Sequence, residues 1–225
     1  MSWNLHRFAF LASFGLCGAG FIAAYAEASS YFSSGATPKE SFDALVGNEQ
    51  VRGLSVASSR LVLDNCYDAI VGVYGRLQTA TTRDLVASKC LVQADAISNE
   101  MPSYSYAWYV GALASWELGD ASKLAYHLLQ SQLSGPTEQW IAELRVKLVE
   151  DNRERLTSDV LQLNDRDLAL LVTSYRGVAS IAKRYVDDPS FRERITAVVE
   201  NLPADEQQRF VANVEIAARA GSNPR

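Results

Sequence analysis

Apolar residues recur at the three- and four-residue spacing of an amphipathic α-helix along most of this chain, and no stretch alternates convincingly at the two-residue period of a β-strand. The pattern is clearest between Leu168 and Tyr185. Only six prolines and thirteen glycines interrupt the 225 residues, so helices meet few residues that would break them. The sequence therefore predicts an all-α fold.

Turn signals divide the chain into successive helices. They predict a short helix over 41–47, a hairpin over about 55–99, helices over about 104–118 and 121–133, and further helices from Pro136, from near Asn164, after Asp188-Pro189 and after Leu202-Pro203. Pro136 is expected at the first helical position, where its missing N–H costs nothing. The helix near Asn164 is expected to continue to Tyr185.

The N-terminus has the layout of an export leader. Arg7 precedes 19 uncharged residues, 8–26, which end in Ala24-Tyr25-Ala26. This layout predicts cleavage after Ala26 and a periplasmic or other extracytoplasmic location for the rest of the chain. The alternative is that residues 8–26 are retained as an inner-membrane anchor, since 19 residues nearly span a hydrocarbon core of ~30 Å.

Composition suggests the boundaries of the remaining parts. Residues 27–41 are rich in Ser, Gly and Ala, which is typical of a flexible spacer. Residues 42–220 are expected to form one all-helical domain, and residues 221–225, GSNPR, a disordered tail.

Two cysteines follow the leader. Cys66 and Cys90 each lie twelve residues from position 78, the centre of the predicted hairpin, so they should face each other across it. In an oxidising compartment this arrangement predicts a disulfide bond; the alternative is a pair of buried free thiols. A metal site is not expected, because His127 is the one histidine after the leader.

Pro102 and Pro136 lie 34 residues apart, and the stretch between them resembles one tetratricopeptide unit. Ala107-Trp108-Tyr109 stands at the start of its first helix, Ala112 at the small-residue position, Gly119-Asp120 at the turn and Pro136 at the closing proline. Leu124, Ser131 and Ser115 depart from the motif. The resemblance implies hairpins stacked as a tetratricopeptide-like right-handed solenoid, followed by additional C-terminal helices.

A second pattern, S-x-x-S-G-P-x-E-x-W followed by an arginine-bearing helix, is similar to small exported helical-repeat proteins found with bacterial envelope and exopolysaccharide machinery. Its residues here are Ser131, Ser134, Gly135, Pro136, Glu138, Trp140 and Arg145. This resemblance implies an accessory role in the assembly or secretion of such polymers.

The aromatic residues near this pattern have two interpretations. Tyr104, Tyr109 and Tyr126 are the candidate binding surface, because an aromatic face suits both peptides and sugars. Trp108, Trp116 and Trp140, with Gly119 and Pro136, are expected to be structural, as the tetratricopeptide resemblance implies for the first-helix tryptophan.

Few residues suggest catalysis. His127 is expected to be a structural or surface residue, whereas Asp64 with Asp68 and Glu138 with Glu143 could form carboxylate pairs of a glycosidase. A net charge of −5 argues against binding to nucleic acid. We therefore expect a non-catalytic extracytoplasmic scaffold, without cofactor or metal, whose partner is an envelope protein or a polysaccharide chain. A membrane-anchored structural subunit is the alternative, and a carbohydrate-active enzyme the third possibility.

Overall fold

A computed structural model describes residues 2–47 and 51–221, and every regular element in these ranges is helical, which confirms the all-α fold. The α-helices are α1 Ser2–Ser33, α2 Pro38–Gly47, α3 Val56–Val71, α4 Val73–Arg76, α5 Ala80–Glu100, α6 Ser105–Glu117, α7 Ala121–Ser134, α8 Gln139–Glu150, α9 Ser158–Thr173, α10 Gly177–Asp187, α11 Pro189–Val199 and α12 Ala204–Gly221. A 3-10 turn, Arg153–Arg155, follows α8. The chain divides into two compact units between Ile97 and Ser98, in the last turn of α5.

In the N-terminal unit, α3 packs against α1, α2 and α4. Ser55 begins α3 as its N-cap, accepting a hydrogen bond from the Ser58 amide. Lys89 of α5 donates to the carbonyl oxygens of Leu45 and Val46 at the end of α2, where a cation is favourable. These contacts fix the helices around a core of buried apolar residues from α2, α3 and α5.

The disulfide predicted from spacing is confirmed. Cys66 and Cys90 are both fully buried, their sulfurs are bonded, and their Cα atoms lie 5.5 Å apart. The first helix of the hairpin is shorter than predicted, because α3 ends at Val71 and Gly72 adopts an extended conformation before α4. A Cβ atom at Gly72 would lie 2.3 Å from the Asp68 carbonyl oxygen, so this sharp bend requires a glycine.

The expected flexible spacer over 27–41 is instead largely helical. Residues 27–33 continue α1, and α2 begins at Pro38 rather than at Ser41. The Ser30 hydroxyl donates to the Glu27 carbonyl and the Ser34 hydroxyl to the Ser30 carbonyl, so both small polar side chains are satisfied where they are buried. Over the part of the chain that the structure describes, no helix is long and apolar enough to cross a membrane.

Burial in α1 begins beside the predicted cleavage position. Phe10, Phe14, Leu16, Phe21, Ile22 and Tyr25 are exposed, whereas residues 26–29 are partly buried and Ser30 is fully buried. The Glu27 carboxylate accepts hydrogen bonds from the amides of Leu54 (2.9 Å) and Ser55 (3.0 Å) and from the Ser55 hydroxyl. Glu27 thereby ties the end of α1 to the start of α3.

This contact predicts a pH effect. The Ser55 hydroxyl, followed by the amides of Ser55 and Leu54, holds the pKa of Glu27 below its ordinary value of 4.5. Because the folded-state pKa is lowered, the contact stabilises the fold above pH 4.5, and its contribution is lost as the pH falls through the folded-state pKa. A carbon-13 NMR titration of the Glu27 carboxyl should give a midpoint below 4.5. Glu27→Gln should speed hydrogen exchange at the Leu54 and Ser55 amides. Glu154→Gln, at an exposed glutamate, is the control and should leave this exchange unchanged. If Glu27→Gln also leaves it unchanged, the Glu27 carboxylate does not accept from these amides.

In the C-terminal unit, helices pack as successive hairpins. Helix α6 packs against α7 and α8, helix α7 also contacts α9, and α8 packs against α9. Helices α10, α11 and α12 then pack around α9. Their apolar core includes Val146, Leu168, Leu171, Ile181, Phe191 and Ile195.

Three predicted helix positions in this unit are wrong. Helix α9 begins at Ser158, and Asn164 lies inside it as a buried residue whose amide donates to Glu150. The long helix expected to reach Tyr185 is interrupted, because the Ser174 hydroxyl caps a new helix by accepting from the Gly177 amide at 2.8 Å. Pro136 lies in a turn, and α8 begins three residues later at Gln139. Of the tail, Gly221 ends α12, and residues 222–225 lie outside the described ranges.

Candidate functional site

The candidate site is built on the α6–α7 hairpin, whose two helices agree with their predicted bounds to within a residue. Gly119 has a φ of +71°, which favours glycine, and the Asp120 carboxylate caps α7 by accepting from the Lys123 amide at 3.0 Å. The Ser131 hydroxyl donates to the Ser105 carbonyl, and the Asp120 amide donates to the Ser115 carbonyl. These bonds join the two helices at both ends, so α6 and α7 run antiparallel.

Trp108 lies in the interior of this hairpin. Its indole Nε1 donates to the Pro102 carbonyl at 2.9 Å, and its ring packs on Tyr126 (5.8 Å between centroids) and His127 (5.9 Å). The indole therefore fixes the chain that enters α6 and supports the ring of the exposed Tyr126.

The other two tryptophans are less buried. Trp116 is half-buried, with the Arg155 guanidinium 6.0 Å from its ring centre. Trp140 is 43% exposed, although its ring contacts that of Tyr106 at 5.1 Å. Trp140 therefore both packs and contributes to the surface.

The candidate tyrosines do not share one surface. Tyr126 is 52% exposed and Tyr104 is half-buried, but Tyr109 is only 3% exposed, so the expectation that Tyr109 is available to a ligand is wrong. Its ring stacks on that of Tyr106 at 6.3 Å. The physical reason is that residues 105–115 of α6 are buried on every side. The sequence carries a signal of this, since no charged residue occurs between Ser105 and Trp116.

His127 has a structural environment. It is buried, and its Nδ1 lies 2.8 Å from the Lys123 carbonyl oxygen, which fixes a proton on that nitrogen. The nearby Ser115 hydroxyl donates to the Gly111 carbonyl at 2.8 Å, so its proton points away from the imidazole. A nucleophilic serine would need the opposite arrangement.

Gly111 was not singled out by the sequence. A Cβ atom at this position would lie 2.7 Å from Cδ2 of the His127 ring. Glycine therefore allows α7 to approach α6 closely, a role that the repeat pattern assigned to the neighbouring Ala112.

Residues of the S-x-x-S-G-P-x-E-x-W pattern converge on one buried polar cluster, which we call the polar latch: Ser105, Ser131, Gly135, Glu138, Arg145 and Asp167. Arg145 donates to both carboxylate oxygens of Asp167 at 2.7 Å, and to the Ser131 carbonyl and hydroxyl oxygens at 3.1 Å. It also reaches the Gly135 carbonyl at 3.4 Å, and the Ser105 hydroxyl donates to Glu138. The latch joins α6, α7, α8 and α9, so the pattern encodes an internal connection between the hairpins.

Asp167 was missed because it lies 22 residues from Arg145 within a segment, NDRD, that suggested a helix cap. The one sequence signal of the buried Arg145–Asp167 pair is that Arg145 stands alone on the otherwise apolar face of α8.

The predicted carboxylate pairs have separate environments. Asp64 pairs with Arg60 at 3.6 Å, whereas burial and then the nearby Asp64 charge raise the pKa of Asp68. Glu138 bonds to Ser105, whereas Glu143 accepts from Ser180, so these two carboxylates contact different helices. Within residues 2–47 and 51–221, no group of three His, Cys, Asp or Glu side chains is placed to hold a metal ion.

The accessible part of the hairpin is one side of α7. Tyr126, Leu129 and Leu133 lie three and seven residues apart, so they share a helix face, which we call the α7 outer face. Tyr126 and Leu133 are 52% and 61% exposed, and Leu129 is half-buried. This face offers a continuous apolar strip to a partner.

Comparison of the chain with protein-family models, with curated proteins and with solved structures gave no match.

Proposed function

We propose that the protein is an exported, non-catalytic scaffold that binds a partner during exopolysaccharide or envelope assembly. One observation carries this proposal: α6–α7 and α8–α9 form successive hairpins in which α6 packs on α8 and α7 on α9. Tetratricopeptide-like units stack in this order, and such stacks bind extended partners on their surfaces. The latch residues are similar to a pattern in exported helical proteins of exopolysaccharide machinery. This similarity is the reason for proposing a role in exopolysaccharide or envelope assembly.

The α7 outer face is the proposed contact for an envelope protein. Its apolar side chains are aliphatic apart from Tyr126, which suits protein side chains. The tryptophan and histidine behind it hold Tyr126 in place without reaching the surface themselves.

Export is supported by two features of the N-terminal unit. Phe10, Phe14, Leu16, Phe21, Ile22 and Tyr25 are 69–75% exposed, whereas burial begins at Ala26. The Cys66–Cys90 bond also suits an oxidising compartment. We therefore propose that a leader is removed after Ala26. N-terminal sequencing of the protein from native cells should begin at Glu27. A chain that begins at Met1 or Ser2 would instead support the membrane-anchored subunit.

Photo-cross-linking tests the binding surface. A photoreactive amino acid in place of Tyr126 or Leu133 should give an adduct of one defined mass in the native envelope, and unlabelled wild-type protein should compete for it. The same amino acid in place of Tyr175, which is 90% exposed on the α9–α10 connection, is the control and should give none.

The process is tested in the same cells. Loss of the protein should lower the amount of exported polysaccharide, and wild type but not Tyr126→Asp with Leu133→Asp should restore it. Full restoration by the double variant, or equal cross-linking at position 175, would contradict the proposed role of the α7 outer face.

A further inference from the structure

The N-terminal unit contains a concave site that shares no residue with the α7 outer face. A cavity of about 680 Å³ lies between the loop at 35–37, the start of α2, and helices α3 and α4. A volume in this range accommodates a few amino-acid side chains. We call it the α3–α4 cavity.

The walls of the α3–α4 cavity are mainly apolar. Phe42 and Ala69 form buried parts of the wall, whereas Val73 and Leu77 are 76% and 78% exposed at its rim. Val73 and Leu77 lie four residues apart, so their side chains lie on the same side of the chain as it leaves α4. Such exposure of two neighbouring aliphatic side chains leaves apolar surface that an occupant could cover.

The bend that forms the cavity depends on its glycines. A Cβ atom at Gly75 would lie 1.8 Å from the Ala69 carbonyl oxygen, as a Cβ atom at Gly72 would crowd that of Asp68. Gly35, with a φ of +74°, closes the opposite side. The concavity is therefore a property of the backbone rather than of a few mobile side chains.

Asp68 supplies the charge. It lines the cavity with its side chain partly exposed, and the charged group that acts on it is another carboxylate, Asp64, which pairs with Arg60. Partial burial and then this like charge raise the pKa of Asp68, and no cation among the described residues forms an ion pair with it. A cationic group placed beside Asp68 would stabilise its ionised carboxylate.

We propose that the α3–α4 cavity binds an extended peptide segment in which a lysine or arginine stands next to an apolar residue. The cation would pair with Asp68, and the apolar side chain would pack on Val73 and Leu77. A sugar suits the cavity less well, because sugars stack on open aromatic faces. Here the Tyr74 ring is engaged edge-on with Phe42 at 5.5 Å, and the rim is aliphatic. This proposal does not depend on the α7 outer face.

NMR titration of the full chain tests the proposal. The probe is the N-acetylated, C-amidated peptide Gly-Ala-Leu-Lys-Leu-Ala-Gly, and the matched peptide carries norleucine in place of its lysine. The side-chain amide of Asn65, which lines the cavity and whose Nδ2 has no acceptor among the described residues, is the local reporter. The lysine peptide should shift the Asn65 signals saturably, with a Kd below about 1 mM. The norleucine peptide should bind at least about tenfold more weakly.

Variants on the exposed rim separate binding from folding. Asp68→Asn and, separately, Leu77→Ser should each weaken the lysine peptide several-fold, while the dispersion of the amide spectrum stays native. Asp84→Asn, an exposed carboxylate on α5 that removes the same charge, is the control and should not change the affinity. The proposal is overturned if the Asn65 signals do not move, if both peptides bind equally, or if a neutral hexasaccharide binds as well as the lysine peptide. None of these outcomes bears on the α7 outer face, which cross-linking at Tyr126 tests separately.

Discussion

Replacing Arg145 by methionine should destabilise the C-terminal unit by about 3–5 kcal/mol, because it leaves the buried Asp167 carboxylate without its counter-ion. Both side chains are almost completely buried, and their two bonds of 2.7 Å are parallel and charge-assisted. The change also removes the Arg145 hydrogen bonds to the Ser131 and Gly135 carbonyl oxygens, which keep those from the Gly135 and Glu138 amides. Urea unfolding followed by tryptophan fluorescence measures the loss, since Trp108, Trp116 and Trp140 all lie in this unit.

Two further variants decide whether the effect comes from an unpaired buried charge. Arg145→Met with Asp167→Leu should recover much of the stability, because neither charge then remains in the interior. Lys183→Met removes one member of an exposed ion pair of α10 and should cost no more than about 0.5 kcal/mol. If Arg145→Met costs as little as Lys183→Met, the polar latch does not connect the hairpins as described.

Replacing both Cys66 and Cys90 by alanine should lower the free energy of unfolding of the N-terminal unit by about 3 kcal/mol, as expected for a disulfide that closes a loop of 24 residues. Native-state hydrogen exchange of the α3 and α5 amides measures this loss in the unit concerned. Cys17→Ala is the matched control, because Cys17 is exposed and unpaired, and it should leave the exchange unchanged.

Thiol titration of the denatured protein checks the bond itself. The full chain should show one reactive thiol, that of Cys17, before reduction and three after it. A chain cleaved after Ala26 should show none before reduction and two after it. Three thiols in the unreduced full chain would show that Cys66 and Cys90 are not bonded.

Local periodicity and symmetry made part of this structure predictable. The equal distances of Cys66 and Cys90 from position 78 predicted that they face each other, and they do, although the chain bends at Gly72 between Cys66 and that position. The Gly119-Asp120 turn was also predictable, because two adjacent residues determine it. Gly119 adopts the left-handed conformation, and the Asp120 carboxylate caps α7.

Tertiary contacts determined the features that could not be predicted. Tyr109 is buried because neighbouring helices cover α6 on every side, whereas a repeat pattern assigns only one buried face. The helix ends at Val71 and Thr173 follow from backbone approach at Gly72 and from the Ser174 cap, and neither interrupts the apolar periodicity. Asp167 pairs with Arg145 only because α8 and α9 fold against each other.

The start of packing at Ala26 has a consequence for the lifetime of a processed chain. A chain cut after Ala26 would begin with Glu27, whose carboxylate is already bonded to Leu54 and Ser55, inside a helix docked on α3. Its first residue would therefore be held by hydrogen bonds to the start of α3, and an exopeptidase would have to break these bonds before removing it. The new N-terminus would in this way be protected from further trimming by its own contacts with the folded unit.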